Sequence, residues 1–160
     1  MNEIRGTPDG TGKRVAIVAS RFNEQVTSRL VAGARACLVE HGVAESDIDL
    51  VTVPGAWELP TAAQQIAERG GVAAIVAIGC VIEGETRHFV YVAGPAATGL
   101  ARVSLDARVP ISLGVLTTST LDQALARAGG RHGNKGWDAA LAALELADLQ
   151  QTLLGARAGS

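Results

Sequence analysis

Residues 72–82 read VAAIVAIGCVI. A run this uniformly apolar and rich in β-branched residues predicts a strand covered on both faces, as in a parallel sheet. Its surroundings repeat a pattern. Upstream, Pro60 suits the first turn of a helix that runs to Arg69, and Gly70-Gly71 breaks it. Downstream comes a polar turn, Glu83-Gly84-Glu85-Thr86-Arg87-His88. Residues 89–106 then place apolar side chains at 89, 92, 93, 96, 100 and 103, which is helical spacing. Pro95 lies inside that stretch, and its ring would meet the carbonyl of Tyr91, so a kink or break is expected there.

The same alternation extends to both ends. Residues 14–20 (RVAIVAS) predict a strand, and residues 24–41 a helix stopped by Gly42. Residues 48–53 (IDLVTV) predict a second strand, followed by a turn at Pro54-Gly55-Ala56. Residues 110–117 (PISLGVLT) predict a fourth strand. Ser119, three residues before Asp122, resembles a capping box opening a helix over 121–128 that Gly129 ends. Asn134 can cap a last amphipathic helix running to Leu154. Residues 1–13 are polar with Gly and Pro and read as an arm, leaving residues 14–156 as one domain. Strands alternating with helices imply right-handed βαβ units and a three-layer α/β sandwich around a four-stranded parallel sheet.

Composition agrees. The 160 residues suit one domain, and 48% hydrophobic against 19% charged residues excludes disorder. Fourteen basic and sixteen acidic residues leave a formal charge of −2 with no basic run, so nucleic acid is not the expected partner. No apolar stretch reaches the about 18 residues of a membrane span, and residues 1–14 contain no apolar signal region, so no membrane partner is expected and the predicted location is cytoplasmic. Cys37 and Cys80 lie in apolar periodic segments and read as buried thiols.

In an open parallel sheet, ligands bind beyond the carboxyl ends of the strands. Those ends carry Ser20–Asn23, Pro54–Glu58, Glu83–His88 and Thr117–Thr120, where polar and aromatic residues concentrate in a chain with only five aromatics. His41, His88 and His132 are scattered without metal-ligand spacing. There is no Gly-x-Gly-x-x-Gly, Walker loop or Gly-x-Ser-x-Gly elbow. The turn Gly84-Glu85-Thr86 opens a helix, and its free amides suit an anion. Phe22 either staples onto the following helix or offers a stacking plate for a flat heterocycle. Trp57 and Glu58 either pack under a loop or contact a hydroxylated substrate. His88 is either a plain surface residue or a proton carrier. Arg127 is favourable at a helix C-terminus, whereas Lys135 at a helix start is misplaced.

Five segments, Ser20-Arg21-Phe22-Asn23, Pro54-Gly55-Ala56-Trp57-Glu58-Leu59-Pro60, the run from Gly79 to Phe89, Gly114-Val115-Leu116-Thr117-Thr118 and Gly133-Asn134-Lys135-Gly136, stand in a familiar order and spacing. Together they resemble the 6,7-dimethyl-8-ribityllumazine synthase family of riboflavin biosynthesis, over residues 12–154. The resemblance implies a flavodoxin-like fold and a transferase without metal or organic cofactor. It implies condensation of 5-amino-6-(D-ribitylamino)uracil with 3,4-dihydroxy-2-butanone 4-phosphate to the lumazine, phosphate and water.

By the same resemblance, Phe22 stacks on the pyrimidine, Ala56, Trp57 and Glu58 hold the ribityl chain, and Val81 and Ile82 offer backbone groups to the uracil edge. Gly84, Glu85 and Thr86 cradle the phosphate, and His88 moves protons. Arg127 and Lys135 come from the neighbouring subunit of a pentamer, to phosphate and pyrimidine respectively. Leu113 stands where relatives often carry Phe, so it gives the pocket a smaller wall. Glu83, Arg87 and Val90 also depart from the pattern, standing where Arg, Pro and an acidic residue are common. Glu83 and Glu85 would repel a phosphate if they faced it, and Arg87 would offset this. The short glycine-rich connection 129–136 looks like that of members forming icosahedral shells of pentamers. In such a shell the arm would add a strand to a neighbour's sheet, and riboflavin synthase is the expected enclosed partner. The alternative is a shell-forming scaffold with impaired catalysis; a flavin-binding module on the same scaffold is disfavoured because Ser20–Glu24 lacks a phosphate-loop composition.

Overall fold

The computed structural model describes residues 1–158. Four strands, β1 (Val15–Ser20), β2 (Ile48–Val53), β3 (Ala74–Ile82) and β4 (Ile111–Thr118), form one sheet in the order β2-β1-β3-β4, every pair parallel. Helices α1 (Glu24–Glu40), α2 (Leu59–Arg69), α3 (His88–Ala107), α4 (Leu121–Ala126) and α5 (Lys135–Ala158) cover it.

The two-residue period of a strand divides the core. Val15, Ile17, Ala74, Val76 and Ile78 pack with Leu30, Leu38 and Leu144 of α1 and α5. Their neighbours Ala16, Val18, Ile75 and Ala77 pack with Leu59, Ala63 and Leu100 of α2 and α3. Both faces of β1 and β3 are therefore buried, which is why their sequences show no polar alternation. Because β3 follows β2 but pairs with β1, the strand order reverses between β1 and β3. The chain leaves β1 toward α1 on one face and β3 toward α3 on the other, and this opens a crevice at their carboxyl ends.

Several expectations are corrected. α3 runs unbroken through Pro95; the missing amide deprives only Tyr91, which is 68% exposed, so solvent can satisfy that carbonyl. The cap of α4 is Thr120, not Ser119. Thr120 Oγ1 accepts from the Gln123 amide (3.2 Å), and Gln123 Oε1 accepts from the amides of Thr120 (3.3 Å) and Ser119 (2.9 Å). The Ser119 hydroxyl instead donates to Glu83 Oε2 (3.3 Å). α4 stops at Ala126, and a small antiparallel hairpin, β5 (Ala128–Gly130) and β6 (Gly133–Asn134), follows. Gly129 (φ 93°) and Gly133 (φ 77°) supply its left-handed backbone. Short 3₁₀ turns occupy Glu45–Asp47 and Ala56–Glu58, and α5 extends past Leu154.

The arm contains no strand. Residues 6–13 lie on their own chain. The Thr7 amide and hydroxyl donate to Asp148 Oδ2 (2.8 and 3.0 Å), and the Gly10 amide donates to the His41 carbonyl (2.8 Å). These bonds hold the Asp148 carboxyl below its ordinary range. The arm before Gly6 is exposed. Cys37 and Cys80 are buried free thiols, as the sequence predicts, and burial pushes each up to about 11.

Candidate active site

The crevice between the ends of β1 and β3 widens on the α3 side into a largely apolar cleft of about 810 Å³, in the range of small-molecule sites. Three strand-to-helix connections shape it. After β1, the Arg21 amide donates to the Val53 carbonyl (2.8 Å) and the Phe22 amide to the Pro54 carbonyl (3.1 Å). Asn23, in the left-handed region (φ 60°), donates its side-chain amide to the Cys80 carbonyl (2.9 Å). The backbone on both sides of Phe22 is thus pinned while its ring stays 70% exposed over the cleft. A ring this exposed does not fit a hydrophobic staple onto α1.

After β2, Ala56 is buried and Trp57 is 59% exposed. Glu58 is half-buried and accepts from the Gly55 amide through Oε2 (2.9 Å). This fixes the carboxylate and leaves its other oxygen available. β3 projects beyond its partner, because pairing with β1 ends at Ala19 and Ile78. Peptide direction alternates along a parallel strand. The Glu83 amide donates to the Thr118 carbonyl (2.8 Å), so Val81 and Glu83 direct their peptides at β4, and Cys80 and Ile82 direct theirs toward the crevice. Of the expected pair, Ile82 is thus the one whose peptide faces the crevice, and both residues line the cleft. Finally, Thr86 Oγ1 accepts from the His88 amide (3.4 Å), starting α3 so that Thr86 and His88 face the cleft with Gly84.

A second cleft of about 630 Å³ lies beyond β4, on the α4 and α5 side. It is polar. Arg127, His132 and Lys135 line it with Thr117, Ser119 and Asp138. Asn134 caps α5, its Oδ1 accepting from the amides of Gly136 (2.8 Å) and Trp137 (3.2 Å), which turns exposed Lys135 into this cleft. Among the described residues, none lines both clefts.

The family model of 6,7-dimethyl-8-ribityllumazine synthase matches residues 12–151. The chain belongs to the 6,7-dimethyl-8-ribityllumazine synthase family. A lumazine synthase of Aquifex aeolicus is 50% identical over 153 residues, covering 96% of this chain and 99% of that protein. One of Gemmatimonas aurantiaca is 56% identical over 149 residues, covering 93% and 91%. One of Xanthomonas euvesicatoria pv. vesicatoria is 50% identical over 153 residues, covering 96% and 99%.

Within one copy, the lumazine synthase motifs divide. Phe22, Ala56, Trp57, Glu58, Val81, Ile82, Gly84, Thr86 and His88 share the first cleft. Glu85 is exposed in the turn without lining it. Arg127 and Lys135 line the second. Leu113 is 47% exposed on edge strand β4 and lines neither. The sequence reading missed Cys80, Phe89, Tyr91, Val92 and Pro95 as walls of the first cleft. The signal was present, since residues 88, 91, 92 and 95 share one helical face. Four of the five aromatics, Phe22, Trp57, Phe89 and Tyr91, line that one cleft. Among the described residues no group of three or more His, Cys, Asp or Glu side chains gathers as a metal site.

Proposed function

We infer that the chain performs the reaction of its family. It condenses 5-amino-6-(D-ribitylamino)uracil with 3,4-dihydroxy-2-butanone 4-phosphate to 6,7-dimethyl-8-ribityllumazine, releasing phosphate and water. The observation that carries this reading is the convergence of Phe22, Glu58, Thr86 and His88, from three separate segments, on one cleft.

The roles follow from chemistry. The exposed Phe22 ring stacks on the pyrimidine. The free oxygen of Glu58 accepts from a ribityl hydroxyl, with Ala56 and Trp57 beside the same chain. The Ile82 peptide meets the uracil edge. The amides of Gly84, Glu85 and Thr86, at the open end of α3, hold the butanone phosphate. His88 takes and returns protons as the amine adds to the ketone and a first water leaves, phosphate is eliminated, and the ring closes with loss of a second water. Proximity supplies much of the rate, since these steps need orientation more than strong acid or base.

Arg127 and Lys135 face another cleft in their own chain, so the site is read as shared. The second cleft of one copy closes the first cleft of the next, bringing Arg127 to the phosphate, Lys135 to a pyrimidine carbonyl and Leu113 to the wall. A ring of such contacts is the pentamer, and the short connection 129–136 favours an icosahedral shell of pentamers, with riboflavin synthase as the partner it would enclose. The exposed apolar side chains Leu50, Leu105 and Leu146 supply surface for such contacts. Met1–Arg5, not the whole arm, is the part free to pair with a neighbour's edge strand, since residues 6–13 are held by their own chain. The scaffold alternative gains nothing specific from the cleft.

Mixing variants tests the shared site. Phe22→Asp damages only first clefts, and Arg127→Ala only second clefts. Co-expressed, they form hybrids in which some sites pair two intact halves, and lumazine fluorescence exceeds that of either variant alone. Hybrid assemblies without recovery would contradict the shared site. Intact shells of the unmodified protein with no lumazine formation would return the scaffold.

A further inference from the structure

We propose that His132 is a further substrate-contacting residue, binding the phosphate of the four-carbon substrate beside Arg127. The inference rests on the shared-site reading of the second cleft. It begins with the hairpin that the sequence did not reveal. β5 and β6 are joined by Arg131 and His132. The His132 amide donates to the Ala126 carbonyl (2.8 Å), and the Lys135 amide to the Arg127 carbonyl (2.8 Å). These two bonds tie the hairpin tip and the start of α5 to consecutive residues at the end of α4. Arg127, His132 and Lys135 are thereby brought to one cleft although eight positions separate the first from the last. Arg127 uses Nη1 to hold the Gln123 carbonyl (3.0 Å), which orients the guanidinium and leaves its other nitrogens for a ligand.

The cleft's chemistry is that of an anion site. Its charged lining groups are Arg127 from the end of α4 and Lys135 and Asp138 from α5, while β4 and the loop after it contribute hydroxyls of Thr117, Thr118 and Ser119. One positive charge is left over, and His132 adds a ring N–H donor to the same lining. Glu83 approaches from β3 through its bond with Ser119. His132 lines the same cleft as Arg127 and its backbone is anchored to the residue next to it, so its imidazole is within the cleft that offers Arg127 to a phosphate, and a ring N–H there donates to a phosphate oxygen.

The test uses the assembled full chain with His132→Ala, His132→Gln, His132→Lys and, as control, Arg127→Ala. His132→Ala and His132→Gln raise KM for 3,4-dihydroxy-2-butanone 4-phosphate about threefold to tenfold at pH 6, the effect of an exposed charge-assisted contact. They leave kcat and KM for the pyrimidine unchanged, and His132→Lys restores KM. Unchanged KM in both neutral variants, with KM raised in Arg127→Ala, would overturn the role of His132 alone. Unchanged KM in Arg127→Ala as well would overturn the shared-site reading beneath it.

Discussion

The side-chain amide of Asn23 donates to the carbonyl of Cys80 across 2.9 Å. This bond ties the loop that carries Phe22 to the end of β3 that projects beyond β1, so the Phe22 backbone and the Ile82 peptide are held by one contact. Asn also tolerates the left-handed backbone at φ 60° better than other non-glycine residues. Asn23→Ala loses the bond and strains the backbone, and should cost about 1–3 kcal/mol with a raised KM for the pyrimidine. Asn23→Gly relieves the strain but not the lost bond. It should recover part of the melting temperature and none of the KM, as paired melting and kinetic measurements would show.

His88 is exposed at the first turn of α3 and lines the first cleft. His88→Ala should slow lumazine formation without abolishing it, because general acid–base catalysis adds only about 10²–10⁴-fold and binding geometry survives. Turnover equal to that of the unmodified protein would remove His88 from the mechanism.

Glu83 stands beside the turn assigned to phosphate and accepts from Ser119 (3.3 Å). Glu83→Gln keeps an acceptor for Ser119 and removes a negative charge. KM for the butanone phosphate should fall about twofold to threefold at low salt, with the gain fading as salt is raised. A rise in KM would mean that the carboxylate matters more as a tether than as a repulsive charge.

Gly136 opens α5 where it crosses α1. A Cβ built there would lie 1.9 Å from the Leu30 carbonyl oxygen, and backbone cannot yield as a flexible side chain can. Gly136→Ala should destabilise by about 3 kcal/mol or more. Gly155, in the same helix, has nothing within 4 Å of such a Cβ. Gly155→Ala should be neutral or stabilising by up to about 1 kcal/mol. Denaturation curves of the two variants give the comparison.

The Asp148 carboxyl is held below its ordinary value of 3.8 by the Thr7 amide and hydroxyl. A lowered folded-state value means that the contact stabilises the docked arm above 3.8. The contribution is lost as pH falls through the lower value. Deuterium exchange at the Thr7 amide, corrected for its intrinsic rate, should remain slowed at pH 4 and lose its protection below the folded value. Asp148→Ala should show fast exchange at every pH. Protection that survives in the variant would assign arm docking to other contacts.

The order of elements was legible because each central strand is an apolar run and each helix repeats its apolar positions with helical spacing. The family was legible because five short motifs stand in register. Smaller features were not. The hairpin of Ala128–Asn134 rests on two glycines and a few backbone bonds, with no apolar period to announce it. The choice of Thr120 over Ser119 as cap depended on Glu83, a residue 36 positions away, taking the Ser119 hydroxyl. The docking of Thr7 on Asp148 spans 141 positions.

Taken alone, the sequence determined the layered α/β architecture, the strand-end location of the site and the types of side chain that serve it, because periodicity and turn chemistry are local properties of the chain. Only the tertiary structure decided which of those side chains meet. It put His88 with Phe22 in one cleft and Arg127 with Lys135 in another, since the direction in which each strand end and helix start points is set by packing across the sheet. It also brought His132 to the two cations, through backbone bonds that no residue pattern along the chain encodes.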